Sequence, residues 1–124
     1  MKEIQHPMKA NNTTSNRQWW LKRIYRLILE NLSEFDFTNS TLAEELSISE
    51  RQLYRIVKEL TGLSPNLYIR QIRLQEAYKF LQTGQFHTIR ELALLVGYQK
   101  IEYFTRLFTA EFGVHPMEIL KQNK

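Results

Sequence analysis

Two stretches decide the fold: residues 42–69, LAEELSISERQLYRIVKELTGLSPNLYI, and residues 88–116, TIRELALLVGYQKIEYFTRLFTAEFGVHP. Both contain R-[IL]-[VF]-x4-G-[LV]-x-P, as Arg55-Ile56-Val57 with Gly62 to Pro65 and as Arg106-Leu107-Phe108 with Gly113 to Pro116. Upstream, Leu42-Ala43 matches Leu92-Ala93 and Leu46 matches Val96, with one extra residue in the turn of the second copy. A supersecondary unit is therefore present twice. Each copy is a short helix, a tight turn and a second helix. Ala43 and Ala93 are small where two helices must cross, Ser47 and Gly97 fall in the turns, and Leu53 and Phe104 anchor the second helix from beyond. A helix-turn-helix needs a small residue, a turn-tolerant residue and an apolar anchor in that order.

Working outward, apolar residues recur at three- and four-residue spacing from Trp20 through Ile24, Leu27, Ile28 and Leu32, which makes one helical face. Gly62 and Gly113 follow helical patterns as helix-ending glycines do, and Gly84 sits in a polar connector. Ser49 with Gln52 and Thr88 with Glu91 have capping-box spacing. Pro65 and Pro116 stand where a first helical turn begins. No long alternating stretch suggests a strand. The expectation is an all-α fold of seven helices near 17–32, 38–46, 50–61, 65–82, 88–96, 100–112 and 116–122. Two helix-turn-helix units, about 38–61 and 88–112, would be joined by a long linker helix at about 65–82, within one domain spanning 17–124. Residues 1–16 are polar and aperiodic and read as a flexible tail or interdomain linker.

Composition narrows the chemistry. The 124 residues include no cysteine, which excludes disulfides, thiolate zinc sites and thiol catalysis in this chain. The three histidines, His6, His87 and His115, show no metal-ligand spacing. No catalytic constellation emerges, so the expectation is a non-enzyme without cofactor or metal. No apolar run reaches a membrane span and no signal-peptide core is evident, which makes the cytoplasm the default expectation. The net charge of +4 and pI near 9.4 permit nucleic-acid binding without establishing it.

The second copy resembles the C-terminal DNA-binding domain of the AraC/XylS family. Thr88, Leu92-Ala93, Gly97-Tyr98, Tyr103-Phe104, Arg106-Leu107-Phe108 and Phe112-Gly113-Val114-His115-Pro116 carry the likeness. The first copy and the linker's Arg73-Leu74-x-x-Ala77 extend it over about 30–122. Two positions depart. Leu120 stands where many members have arginine, and Ile101-Glu102 replace small polar residues at the start of the second recognition helix. The resemblance implies a bacterial transcription regulator that binds double-stranded DNA sequence-specifically, with its two units in adjacent major grooves. It also implies RNA polymerase as a partner and a sensor domain in a longer parent protein. The polar leader favours an output domain of such a parent over a complete small regulator.

Helical spacing then selects the contact residues. In the first unit Arg51, Tyr54, Arg55 and Lys58 form an outward stripe beside Gln52, with Leu53, Ile56, Val57 and Leu60 inward. Arg51 is the leading base reader, because a guanidinium can bridge guanine O6 and N7. Tyr54 touches a base edge or a phosphate, and Arg55 reads a base or holds the backbone. In the second unit Lys100, Ile101, Glu102, Thr105 and Arg106 face out, with Gln99 near the helix start placed for a phosphate. Ile101 can lie against a thymine methyl. Glu102 either accepts from cytosine N4 or pairs with Arg106 four residues on. The plain alternatives are a solvated basic face with Arg51 or Arg55 paired to a nearby glutamate, and a helical interaction module without DNA binding. Most of Trp19, Trp20, Tyr25, Phe80, Tyr98, Tyr103 and Phe112 are expected to pack the core, and Arg73 is expected to be structural.

Overall fold

A computed structural model describes residues 13–84 and 86–122. Among them seven helices follow in order: α1 Thr13–Glu30, α2 Asn39–Leu46, α3 Glu50–Thr61, α4 Pro65–Thr83, α5 Ile89–Leu95, α6 Ile101–Phe112 and α7 Pro116–Gln122. The described residues contain no strand, as the periodicity predicts. Most of the expected tail, and His6 within it, lies outside the described residues. Its last four positions, 13–16, form the first turn of α1. Thr13, Thr14, Ser15 and Asn16 have no apolar periodicity and poor helix propensity, so the sequence carried no sign of that turn.

The local signals act as chemistry requires. Ser49 Oγ accepts the Gln52 N–H at 3.0 Å while the Ser49 N–H donates to Gln52 Oε1 at 3.0 Å, closing the capping box of α3. Thr88 and Glu91 do the same for α5. Thr38 and Thr41 form a further box at α2, built from two threonines rather than the usual glutamate partner. Gly62 and Gly113 end α3 and α6 in the left-handed region, at φ 81° and 73°.

Two hydrophobic cores form. The first gathers Trp20, Ile24, Leu27 and Ile28 of α1, Leu42, Ala43 and Leu46 of α2, Leu53, Ile56 and Val57 of α3, and Ile69 and Ile72 of α4. The second gathers Leu74, Ala77 and Leu81 of α4, Leu92 and Ala93 of α5, Phe104 and Phe108 of α6, and Ile119 and Leu120 of α7. Helix α4 is apolar on several faces because it serves both cores, the first with its N-terminal half and the second with the rest. Ala43 and Ala93 are buried at the two helix crossings. Leu120 is 2% exposed within the second core, so the leucine that departs from the family pattern fills interior space. Trp20 is buried; Trp19, Tyr25, Phe80, Tyr98 and Phe112 pack half-buried against the cores, while Tyr103 remains exposed.

Candidate nucleic-acid interface

Helix α3 has two unlike faces. Leu53, Ile56 and Val57 are buried in the first core, which turns Arg51, Tyr54, Arg55 and Lys58 to solvent. Tyr54 is 50% exposed. These four residues and Glu59 line one shallow groove of about 320 Å³. Neither Arg51 nor Arg55 is ion-paired; the ion pair among the described residues is Lys79 with Glu76 on α4. The basic stripe is therefore open along its length. Gln52 is exposed, but its carboxamide oxygen is already held by the Ser49 N–H. What it has left to offer a ligand is its amide N–H₂.

Helix α6 is built differently. Phe104 and Phe108 are fully buried and stack in a tilted pair 5.8 Å apart, with Phe112 a further 4.6 Å from Phe108. Gln99, Lys100, Glu102 and Arg106 are exposed, whereas Ile101 and Thr105 are half-buried. Ile101, expected to face outward, packs against the second core. Its branched side chain at the first helical position gains more from apolar contact than from water. Glu102 and Arg106 do not form the ion pair that their spacing allows. Arg106 instead lies over the Tyr103 ring at 5.4 Å, a cation–π contact that leaves Glu102 free. Ile101, Glu102, Thr105 and Arg106 share a wide hollow of about 670 Å³ with Thr109, Ala110 and His115.

Helices α3 and α6 also begin differently. Ser49 caps α3, but Lys100 stands at the N-cap of α6 without a side-chain hydrogen bond. The first N–H groups of α6 are thus left for water or an anion.

Sequence reasoning missed Arg70. It lies in the middle of a linker helix, where no recognition pattern applies, yet its guanidinium reaches the Tyr103 hydroxyl of α6 at 3.5 Å. Arg70 lines a cleft of about 410 Å³ between the units, together with Thr38, Asn66, Gln99, Lys100 and Tyr103. No carboxylate lines that cleft. The three-residue spacing of Arg70 and Arg73 was the available signal. Among the described residues no group of acidic, histidine or cysteine side chains is placed to hold a metal ion. No helix of the described residues is long and apolar enough to cross a membrane.

Residues 42–122 match the family described as "Helix-turn-helix domain". Histidine kinase P4 of Formosa agariphila is 28% identical over 98 residues, covering 79% of this chain and 7% of that protein. The HTH-type transcriptional activator RhaS of Salmonella arizonae is 36% identical over 78 residues, covering 63% of this chain and 28% of that protein. The chain thus spans less than a third of these relatives. Among solved structures, the C-terminal domain of AraT, a response regulator from Geobacillus stearothermophilus, superposes with a TM-score of 0.74 at 30% identity, over 82% of this chain and 83% of that one. An AraC-type transcriptional regulator from Chromobacterium violaceum gives 0.77 at 26% identity, over 88% and 96%.

Proposed function

Because this chain belongs to the AraC/XylS family of helix-turn-helix DNA-binding domains, we propose that it reads double-stranded DNA through α3 and α6 in successive major grooves. The observation that carries this reading is the open stripe of Arg51, Tyr54, Arg55 and Lys58 on a helix whose other face is core. Arg51 lies in the first turn of α3, the part of a recognition helix that reaches base edges. Tyr54 and Arg55 flank it, and Lys58 suits a phosphate. Gln52 lends its free amide N–H₂ to the same face.

The second unit contributes mainly position. Its uncapped N-terminus, Gln99 and Lys100 suit a phosphate, as does the carboxylate-free cleft at Arg70. Thr105 and Arg106 suit backbone or mixed contacts. Glu102 is repelled by phosphates unless it meets a cytosine N4. Ile101 offers the edge of a half-buried side chain. The interaction-module alternative takes its motive from an outward Ile101 and Glu102; Ile101 is half-buried against the second core, which weakens that motive, while Glu102 stays exposed.

The relatives suggest the setting. One is a histidine kinase and one neighbour is a response-regulator domain, which supports an output domain in a longer sensor protein. Contact with RNA polymerase and a cytoplasmic location belong to the same proposal.

The test is a binding selection from randomised duplexes with wild type, Arg51→Ala and Glu102→Ala. Arg51→Ala is expected to relax base preference in one half-site, since a bidentate contact discriminates by about 1–3 kcal/mol, or roughly 5- to 150-fold. Glu102→Ala is expected to bind as well or better. Uniform weakening by Arg51→Ala would make it a phosphate clamp only. Loss of binding in Glu102→Ala would make Glu102 a reader.

A further inference from the structure

The two cores meet at Arg73. Its neighbours on α4 divide around it, Ile69 and Ile72 to the first core and Leu74, Ala77 and Leu81 to the second. The side chain is only 5% exposed, and burial lowers its pKa from the ordinary arginine value. Such a group is costly to bury without partners. Its partners are main-chain carbonyls from both units. Nη1 donates to Leu32 O at 2.7 Å and to Val96 O at 2.8 Å. Nη2 donates to Glu34 O at 3.0 Å and Phe37 O at 3.4 Å. Leu32, Glu34 and Phe37 belong to the connection that leads into the first helix-turn-helix. Val96 belongs to the turn of the second. The guanidinium occupies the space beside Gly97 where a side chain would otherwise begin, and lies 6.0 Å from the Tyr98 ring centre.

We propose that Arg73 is a positioning residue: it locks the turn of the second unit to the entrance of the first, and so fixes the angle between the recognition helices. Helix α4 gives the units a shared axis, each packing on its own part of it, with Leu32 of the first unit's entrance also resting against the second core. The polar tie supplies a second attachment away from the axis, and two attachments define an orientation where one does not. A planar guanidinium suits this task, because its fork presents fixed donors to several acceptors at once. For DNA, the consequence is the spacing of half-sites the chain accepts. That part rests on the functional reading above.

The test exploits the absence of cysteine. Exposed Glu45 on α2 and Glu111 on α6 are replaced by cysteine and spin-labelled, and the distance between labels is measured in the free protein. Wild type is expected to give one narrow distance. Arg73→Met, which keeps the apolar stem and removes every donor, is expected to lose it for a broad or second distance while both units stay folded. Arg73→Lys, with the charge and one donor centre, is expected to narrow it again in part. Tryptophan emission reports the first unit, because both tryptophans lie in α1, and helicity reports the whole chain. A folded Arg73→Met variant with the wild-type distance would overturn the proposal. So would loss of both units in a single step, which would make Arg73 a requirement of folding. On duplexes with selected half-sites at varied separation, wild type is expected to favour one spacing and Arg73→Met to accept its neighbours. Failure of both proteins to bind would fault the DNA reading and leave the distance result intact.

Discussion

Gly97→Ala puts the joint between the units under the most specific strain available. Gly97 has φ 93°, and a Cβ there would overlap the Arg73 guanidinium and come within 2.6 Å of Leu32 O. The equivalent turn of the first unit holds Ser47 at φ 60°, exposed to solvent. The two positions share a turn and differ in what lies beside it. A left-handed conformation costs an alanine about 1–2 kcal/mol. Displacing Arg73 threatens four hydrogen bonds from a charged donor, each contributing about 1.5–3 kcal/mol. Losing two of them adds about 3–6 kcal/mol, for a total of roughly 4–8 kcal/mol. Domains of this size have about 5–15 kcal/mol in all. Urea unfolding followed by helicity is the assay. With a slope of about 2 kcal/mol/M, the midpoint should fall by roughly 2–4 M, or the variant should not fold. Ser47→Gly, the opposite exchange in the first unit, should stay within about 1 kcal/mol of wild type. A fall below about 1 M for Gly97→Ala would mean that the turn penalty is the whole effect. The guanidinium would then not fill that space.

The remaining expectations concern charge and core. If six to ten phosphates are neutralised, affinity for duplex DNA should drop by about 10³–10⁵ between 50 and 200 mM salt; a flat response in fluorescence anisotropy would contradict a phosphate-dominated interface. Ala93→Glu would bury an unpaired charge at the α5–α6 crossing and should unfold the second unit, whereas Leu94→Glu, at a site 47% exposed, should melt close to wild type. Equal melting of the two would refute the crossing. Glu91 is held below the ordinary glutamate range, first by the His87 N–H, with the Thr88 N–H adding to it. Its folded value being depressed, its contribution is present above that range and lost as pH falls below it, through the lowered value. Glu91→Gln keeps an acceptor but cannot titrate, so as pH falls from about 5 to about 3 the melting temperature should drop less steeply in the variant than in wild type. Parallel curves would remove Glu91 from the acid response.

The internal repeat made the helix order and both crossings legible, because Ala43, Ala93, Leu53 and Phe104 stand at positions whose burial follows from spacing. The stripe on α3 was legible for the same reason: Leu53, Ile56 and Val57 point one way, and what remains must point the other. Helix α6 was harder. Spacing alone put Ile101 outside, yet the first position of a helix can lean its side chain toward the core, and the packed structure leaves it half-buried, against the second core and at the edge of the α6 hollow. The Glu102–Arg106 pairing was allowed by spacing, but the nearby Tyr103 ring competes for the same guanidinium. Arg73 was recognisable as structural, but its acceptors are carbonyls, which every residue carries, so no sequence pattern could name Leu32, Glu34, Phe37 and Val96. The first turn of α1 escaped because it holds no apolar residue.

If α3 and α6 read one face of a DNA duplex, hydroxyl-radical footprinting on a duplex recovered by selection will show it. Two protected tracts are expected about one helical turn, or 34 Å, apart on the same face. Arg51→Ala is expected to relax base preference in one tract and spare the other. A single tract, or protection without any preferred sequence, would contradict that reading.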